Sequence, residues 1–164
     1  RSDSESGPRS ERLGLCINWG RSAIEGRSAH TAIEHVQAAA EAGVLGAVIF
    51  SGASGVGTPW GPAWSDSHIP MRGEAPALAA SSGSLLGRQE IASTLQAAGN
   101  LSLMGVKVSV RPTDADVPTR LAVARAALDQ VGLARAQIRL PRTEESTAAS
   151  PEADPSHTPA GRNP

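Results

Sequence analysis

The feature that most constrains the fold of this sequence is a strand–loop–helix pattern that occurs three times. Apolar runs typical of buried strands lie at residues 13–18, 45–50 and 103–110. Segments with helical spacing of their apolar residues follow at 31–42, 85–98 and 117–131. Strands that alternate with helices are typical of parallel sheets, because a helix carries the chain back to the start of the next strand. We therefore predict an α/β domain of parallel (β/α) units over residues 12–132.

The ends of the predicted helices carry capping signals. Thr31 and Glu34 have the spacing of a capping box at the start of the first helix. Asp116 is placed to cap the third helix, whose apolar stripe is predicted to be Leu121, Ala124 and Leu128. A glycine follows each predicted helix, as is common just past a helix end. These glycines are Gly43, Gly99 and Gly132.

Charge and cysteine content exclude several classes of protein. Fifteen Lys and Arg residues against sixteen Asp and Glu give a net charge of -1, which argues against nucleic acid or a membrane surface as a partner. No apolar run approaches the roughly 20 residues of a membrane-spanning helix. A lone cysteine, Cys16, excludes a disulfide framework and is predicted to be a small core residue. We therefore predict a cytoplasmic protein, and the abundance of alanine and arginine is typical of a GC-rich bacterial genome.

The two ends of the sequence differ from its centre. Residues 1–11 are polar and rich in serine, and residues 133–164 are rich in proline and serine. Such segments bury too little apolar surface to fold, so we predict a disordered lead-in and a disordered tail. Because the sequence does not begin with methionine, we expect a fragment, a processed chain or a mis-started reading frame. Three (β/α) units form either a small open sheet or part of an eight-stranded barrel, whose usual length is about 250 residues.

The second predicted strand opens into a loop over residues 51–83. A loop of about thirty residues in a compact domain is functional or locally folded. It begins with the glycine run of residues 52–57, whose G-x-x-G-x-G spacing differs from the G-x-G-x-x-G of dinucleotide-binding loops. Pro59 also stands where the helix of such a site begins. The glycines therefore favour a flexible loop over nucleotide binding.

Asp66 and His68 stand two residues apart near the middle of this loop. This spacing lets a carboxylate and an imidazole reach one metal ion from an extended chain. In that case Glu25 is a candidate for a further oxygen ligand from the loop predicted at residues 19–27. The alternative is a loop turn in which Asp66 accepts from local amides and His68 is solvated.

Lys107 and Arg111 lie in the third predicted strand, where Val106, Val108 and Val110 alternate with polar residues. The valines require one apolar face, so Lys107 and Arg111 belong to the opposite, polar face. In a barrel that face opens at the barrel mouth, where both side chains bind ligand. The alternative is a lysine at a sheet edge, with its ammonium group in solvent.

Loops after the strands also carry tryptophans and an arginine. Trp19 and Trp64 are candidates for stacking on a sugar ring or a cation, with Trp60 between them in sequence. The alternative is that these rings pack their own loops down. Arg21 is a candidate for binding a carboxylate or phosphate through two parallel hydrogen bonds, unless it is simply a solvated arginine.

Four of these segments together resemble a known family. The segments run from Ile17 to Arg27, Phe50 to Ser54, Trp64 to Pro70 and Gly105 to Pro112. They resemble the C-terminal half of an uncharacterised bacterial family that is similar to the xylose-isomerase-like TIM barrels, the sugar-phosphate isomerase/epimerase group. The resemblance covers residues 13–131 and implies the last three units of such a barrel.

The resemblance also implies a catalytic site. In that group a divalent metal is held at the barrel mouth by glutamate, aspartate and histidine, which here correspond to Glu25, Asp66 and His68. The third strand ends without the usual catalytic glutamate and carries Lys107 and Arg111 instead. We therefore expect a ligand carbonyl polarised by these two cations, in addition to or in place of a metal.

Two functions remain open at this point. The first is a fragment of a sugar or sugar-acid isomerase or epimerase of unknown substrate, with Lys107, Glu25, Asp66 and His68 as catalytic residues. The second is a non-catalytic, degenerate barrel fragment that binds at most a small polar ligand. In both cases the expected partner is a small sugar-like or carboxylate ligand, without nucleic acid or membrane, and the oligomeric state is left open.

Overall fold

The computed structural model describes residues 13–139 as a three-stranded parallel sheet with helices. The strands are β1 (Leu15–Asn18), β2 (Leu45–Phe50) and β3 (Leu103–Val106), in the order β1-β2-β3. Both strand pairs are parallel, which confirms the predicted α/β class. The predicted lead-in and the part of the predicted tail from residue 140 onward lie outside the described residues. Within residues 13–139, no helix has both the length and the hydropathy to cross a membrane.

Four α-helices and one short 3₁₀ helix complete the described chain. The α-helices are α1 (Trp19–Glu25), α2 (Ala29–Glu41), α3 (Arg88–Ala98) and α4 (Val117–Arg139). The 3₁₀ helix is Pro76–Ser81. Helix α3 packs between α2 and α4, and α1 packs against α2.

The hydrophobic core lies between the helices and one face of the sheet. Val48 and Phe50 of β2 are fully buried in it, with Ile17, Met104 and Val106 from the neighbouring strands. The opposite face carries Cys16, Ala47 and Ile49, because side chains alternate along a strand. Cys16 is exposed there, so its prediction as a core residue is wrong.

Residues 19–27 were predicted as a loop, but most of them form α1. The Asn18 side chain caps this helix, its Oδ1 accepting from Arg21 N at 3.2 Å. Trp19 is fully buried, and its Nε1 donates to Thr94 Oγ1 at 3.0 Å. A Cβ at Gly20 would lie 2.5 Å from Ser51 O, so this glycine lets α1 approach the end of β2. Gly20 is therefore needed for close packing within a segment that was predicted as a loop.

The predicted capping box of α2 is wrong, whereas its predicted end is confirmed. Ser28 is the N-cap residue, with an extended backbone and a side chain that accepts from His30 N at 3.1 Å. The helix thus begins before Thr31. Beyond its last residue, Gly43 has a φ of +67°, a left-handed conformation that glycine adopts at low cost.

Strand β3 ends at Val106, four residues before its predicted end. Beyond it, Ser109 N donates to His68 O at 2.8 Å. The residues after Lys107 therefore pair with the long loop, not with a neighbouring strand. The predicted alternation persists, because Val110 is buried and Lys107 is exposed.

Helix α4 departs from its prediction in length and in its buried face. Asp116 caps it as predicted, Oδ1 accepting from Thr119 N at 2.9 Å, but the helix continues through Gly132 to Arg139. Leu121 and Leu128 are 49% and 53% exposed, so the predicted stripe does not face the core. The buried face consists of Val123, Ala126, Ala127, Gln130, Val131 and Ala134. Apart from Gln130, these residues are smaller than leucine and suit the contact of α4 with α3.

The long loop after β2 is locally folded, which is one of the two possibilities that its length predicted. Gly52 N donates to Ile69 O at 3.0 Å, and this hydrogen bond joins the two ends of the segment 52–69. Met71 and, within the 3₁₀ helix, Leu78 are buried in the core. Leu85 N then donates to Ala53 O, which keeps this segment extended and delays the start of α3 from its predicted position to Arg88.

Candidate functional site

Three segments meet at the carboxyl end of the sheet. Ser51 follows β2 directly and Lys107 follows β3 directly, while the loop of residues 66–68 contacts Ser51 and Ser109. Ser109 fixes that loop, its Oγ donating to Ser67 O at 2.6 Å. The carboxyl ends of parallel strands are where α/β proteins place their ligands. We define the candidate site as Arg21, Ser51, Asp66, His68 and Lys107.

His68 is the centre of the site. Its Nδ1 lies 3.2 Å from Asp66 Oδ1 and 3.1 Å from Ser51 Oγ. The side chain is 23% exposed, and within residues 13–139 no protein group is hydrogen-bonded to Nε2. A carboxylate beside Nδ1 favours the tautomer with its proton on that nitrogen. The lone pair of Nε2 is then available to a ligand.

The site contains serine, histidine and aspartate, but it is not a nucleophilic triad. In such a triad the serine hydroxyl contacts Nε2 and the carboxylate contacts Nδ1. Here Ser51 and Asp66 share Nδ1. Ser51 therefore orients the imidazole and is not activated by it.

The loop that carries His68 is strained. His68 has a φ of +53° and Trp64 a φ of +61°, in a region that residues other than glycine rarely adopt. Each such residue costs on the order of 1–3 kcal/mol and persists where the surrounding structure enforces it. The Ser51 and Asp66 contacts and the hydrogen bonds from Ser109 supply that enforcement at His68.

Asp66 joins His68 to Arg21. Its Oδ2 accepts from Arg21 Nη1 at 3.3 Å, while its Oδ1 faces the imidazole. The Arg21 side chain is 68% exposed and that of Asp66 is 42% exposed, so the pair contributes little to stability. The arrangement leaves most of the guanidinium available to an anion.

Lys107 lies on the same face of the sheet as Ser51. Val106 pairs with Phe50, and Lys107 N donates to Phe50 O at 3.0 Å. The next pair in this register is Ser51 and Lys107, whose side chains therefore project to one side. Because Lys107 is exposed, its ammonium group is available at the carboxyl end of the sheet.

The tryptophans are packed more tightly than a ligand platform requires. Trp19 is fully buried and hydrogen-bonded to Thr94, so its prediction as a ligand-binding residue is wrong. Trp60 Nε1 donates to Ser109 O at 2.8 Å. A Cβ at Gly55 would lie 3.0 Å from the Trp64 ring, so this half-buried ring covers the glycine-rich loop. Trp60 and Trp64 thus hold their own loop, and part of Trp64 stays exposed.

Glu25 and Arg111 lie apart from the cluster. Glu25 is the exposed last residue of α1. Residues 13–139 contain no group of three or more His, Cys, Asp and Glu side chains placed to hold a metal ion. The set of Glu25, Asp66 and His68 therefore does not fit the metal that the resemblance implies. Arg111 lines a cavity of about 350 Å³ together with Arg120 at the start of α4.

Ser51, whose hydroxyl holds the imidazole, was not among the predicted site residues. One signal was present, because Ser51 is the first residue after an apolar strand and such positions lie at the ligand-binding edge of a parallel sheet. Asp66 and His68 were selected for a metal, and the structure instead pairs them with each other.

The fold and the site define an α/β protein with a histidine-centred polar cluster at the carboxyl end of a parallel sheet. Residues 4–123 match the family described as a domain of unknown function, DUF4862, and the chain belongs to that family. The chain is also 35% identical over 115 residues to "Uncharacterized protein STM3670" of Salmonella typhimurium, a match that covers 69% of this chain and 34% of that protein. The chain thus spans about a third of the length of this curated relative. No solved structure is significantly similar to this chain.

Proposed function

We propose that the chain belongs to a sugar or sugar-acid isomerase or epimerase in which His68 transfers the proton. The observation that carries this proposal is the shared contact of Ser51 and Asp66 with Nδ1 of His68. It orients the imidazole and leaves Nε2 to face a ligand at the carboxyl end of the sheet. A positioned imidazole is the commonest general acid–base group in enzymes.

The proposed chemistry is a proton transfer beside a carbonyl group. Nε2 of His68 takes the proton from the carbon next to the carbonyl, and the electron pair of that C–H bond moves to give an enediolate. The Lys107 ammonium stabilises the negative charge on its oxygen. For isomerisation, the hydroxyl proton of the enediolate moves to the former carbonyl oxygen, and the imidazolium returns its proton to the former carbonyl carbon. For epimerisation, the enediolate turns its other face to His68, and the imidazolium returns its proton to the original carbon.

The remaining residues of the site bind the substrate in this proposal. The exposed guanidinium of Arg21, held by Asp66, interacts with the anionic end of a sugar acid. The exposed part of Trp64 covers the substrate from the loop side. Arg111, which neighbours Arg120 in a separate cavity, takes no part in polarising the carbonyl, and the proposal assigns that role to Lys107.

We also propose that the sheet is part of a larger (β/α) barrel. The face of the sheet opposite the helices carries the exposed Cys16 and, on the edge strand β3, Leu103 at 63% exposed. Helix α4 packs next to β3 and exposes Leu121 and Leu128. A further (β/α) unit beside β3 covers the exposed side of α4, and closure of the barrel buries Leu103 and Cys16 on its inner face. The greater length of the Salmonella relative leaves room for such units.

The test is hydrogen exchange by the native gene product in deuterated water. D-xylulose, D-fructose and 5-keto-D-gluconate are incubated with the enzyme, and deuterium next to the carbonyl is measured by NMR. Loss of a general base costs typically 10²–10⁴-fold, so we expect His68→Gln to reduce exchange by about that factor. Lys107→Met is expected to slow exchange without changing which carbon exchanges. His30→Gln, an exposed histidine of α2, is the matched control.

Two results contradict the proposal. If His68→Gln exchanges deuterium as fast as His30→Gln, the imidazole is not the base. If the gene product binds these sugars but never exchanges their hydrogens, it is the non-catalytic binder predicted as the alternative.

A further inference from the structure

A second polar cavity lies on the helical side of the molecule, away from the candidate site. Its volume is about 510 Å³, and it is bounded by the loop around Gly73, the 3₁₀ helix, the start of α3 and the middle of α4. No residue of the candidate site lines it. Its polar lining comes mainly from Ser82, Arg88, Gln89, Gln130 and Gln137. The cavity is therefore rich in hydrogen-bond donors and is separate from the candidate site.

Gln130 is the unusual residue of this cavity. It lies on the buried face of α4 and is only 5% exposed. Burying an amide without full hydrogen bonding is unfavourable. Its Oε1 accepts from Arg88 Nε at the long distance of 3.5 Å, and within residues 13–139 its Nε2 donates to no protein acceptor. Packing alone favours an apolar residue here, so a role in binding explains the amide better.

Gly73 makes room for that amide. A Cβ at Gly73 would lie 2.9 Å from both Cδ and Nε2 of Gln130. In the described part of the chain, every fully buried side-chain nitrogen or oxygen has a hydrogen-bond partner, so the free Nε2 must border open space. Gln130 thus presents its NH₂ group to the cavity, beside a backbone without a side chain.

The two arginines of the cavity differ in how far their guanidinium groups are already occupied by protein acceptors. Arg72 donates to both carboxylate oxygens of Glu90 at 2.7 Å and to the carbonyls of Ser84 and Leu85. Its guanidinium is therefore committed to holding the loop against α3. Arg88 has no carboxylate within 4.0 Å among residues 13–139. Its charge is left for a ligand.

We propose that this cavity binds a small hydroxylated carboxylate, with its carboxylate held by Arg88 and the Gln130 amide. A guanidinium fork and an NH₂ group match the planar acceptor geometry of a carboxylate. Arg88 and Gln89 begin α3, where backbone N–H groups without helical acceptors favour an anion. The side chains of Gln89, Gln137 and Ser82 then receive the hydroxyl groups. The single carboxylate of the lining, Glu74, is exposed at the rim.

The test is calorimetric binding of glycolate, tartrate and gluconate to the native gene product, with neutral glucose as the uncharged comparison. We expect at least one of the acids to bind and glucose not to bind. Arg88→Gln and Gln130→Leu are each expected to weaken that binding at least tenfold. Arg125→Gln removes the same charge from an exposed position of α4 outside the cavity and should leave the affinity unchanged.

The outcomes separate this inference from the proposed function. If all three acids fail to bind, or if Arg88→Gln binds them as well as Arg125→Gln does, the cavity is not a carboxylate site. If His68→Gln abolishes binding while Arg88→Gln does not, the acids bind at the candidate site, and only the cavity proposal fails. Gln130→Leu preserves side-chain volume, and a thermal melt checks its fold; if it unfolds, Arg88→Gln decides alone.

Discussion

The same substitution should have opposite effects at two helical glycines, Gly20 and Gly132. Gly20 lies in α1, and a Cβ there would come within 2.5 Å of Ser51 O and 3.1 Å of Gly52 O. Both atoms are backbone, so neither can rotate away. Gly132 lies in α4, where a Cβ would meet no atom within 4 Å. Neither glycine has a positive φ, so alanine fits both backbones and the difference is one of space.

The expected magnitudes follow from these distances. An ordinary Cβ contact begins at 3.4 Å, so α1 and the end of β2 must separate by about 0.9 Å, and such overpacking costs typically about 1–3 kcal/mol. The better helix propensity of alanine returns about 0.5–1 kcal/mol. Gly20→Ala should therefore destabilise the protein by about 1–2 kcal/mol. Gly132→Ala receives only the propensity gain and should stabilise it by about 0.5–1 kcal/mol.

Thermal denaturation followed by circular dichroism measures both changes. For a domain of this size the estimates correspond to a Tm lower by about 3–10 °C for Gly20→Ala and higher by about 2–4 °C for Gly132→Ala. Because Ser51 orients His68, Gly20→Ala should also lower the proposed hydrogen exchange activity. A Gly20→Ala variant as stable as Gly132→Ala would refute the close approach of α1 to β2.

Three further predictions concern the cap of α4, the core and the isolated chain. Hydrogen bonds from the side chain and the backbone N–H of Thr119 lower the pKa of Asp116. The stability that this cap provides is therefore fully present above the unfolded-state pKa, which is near 4. It is lost as the pH falls through the lower, folded-state pKa. Asp116→Asn should keep the cap in acid, and circular dichroism that shows equal acid sensitivity in both proteins would contradict this. Thr94→Val leaves the buried Nε1 of Trp19 without its acceptor and should cost about 1–3 kcal/mol in urea denaturation; an unchanged midpoint would argue against that hydrogen bond. The isolated 164-residue chain should be marginally stable, because its sheet edges and the apolar side of α4 lack neighbours, and a cooperative melt from a clean monomer would contradict the barrel proposal.

Strong periodicity and local caps were readable from the sequence. The three strands, the parallel order and the cap at Asp116 follow from apolar runs and from one acidic residue before a helical pattern. These signals depend on neighbours in sequence, so the tertiary structure leaves them unchanged. The start of α2 was misplaced because Ser28 and Thr31 are both good caps, and only the backbone conformation distinguishes them.

Helix α4 shows why periodicity did not identify the buried face. The sequence of α4 has two apolar stripes, one with Leu121 and Leu128 and one with Ala126, Ala127 and Val131. Side-chain size favours the leucines for the core, but the close approach of α4 to α3 favours the smaller residues. Hydrophobic periodicity reports that a face is apolar, and it does not report which of two apolar faces meets the rest of the fold.

The candidate site depends on backbone contacts that the sequence expresses only as glycines. Gly20 brings α1 against the carbonyl of Ser51, and Gly52 brings the strand end against the carbonyl of Ile69, where a Cβ would clash. These two approaches place Ser51 and His68 within hydrogen-bonding distance across 17 residues of chain. A glycine beside a polar residue at a strand end therefore indicates either a flexible loop or a close approach of two backbone segments. Here the close approach is observed at both glycines, so mutations at Gly20 and Gly52 should disturb the imidazole as much as mutations at Ser51 itself.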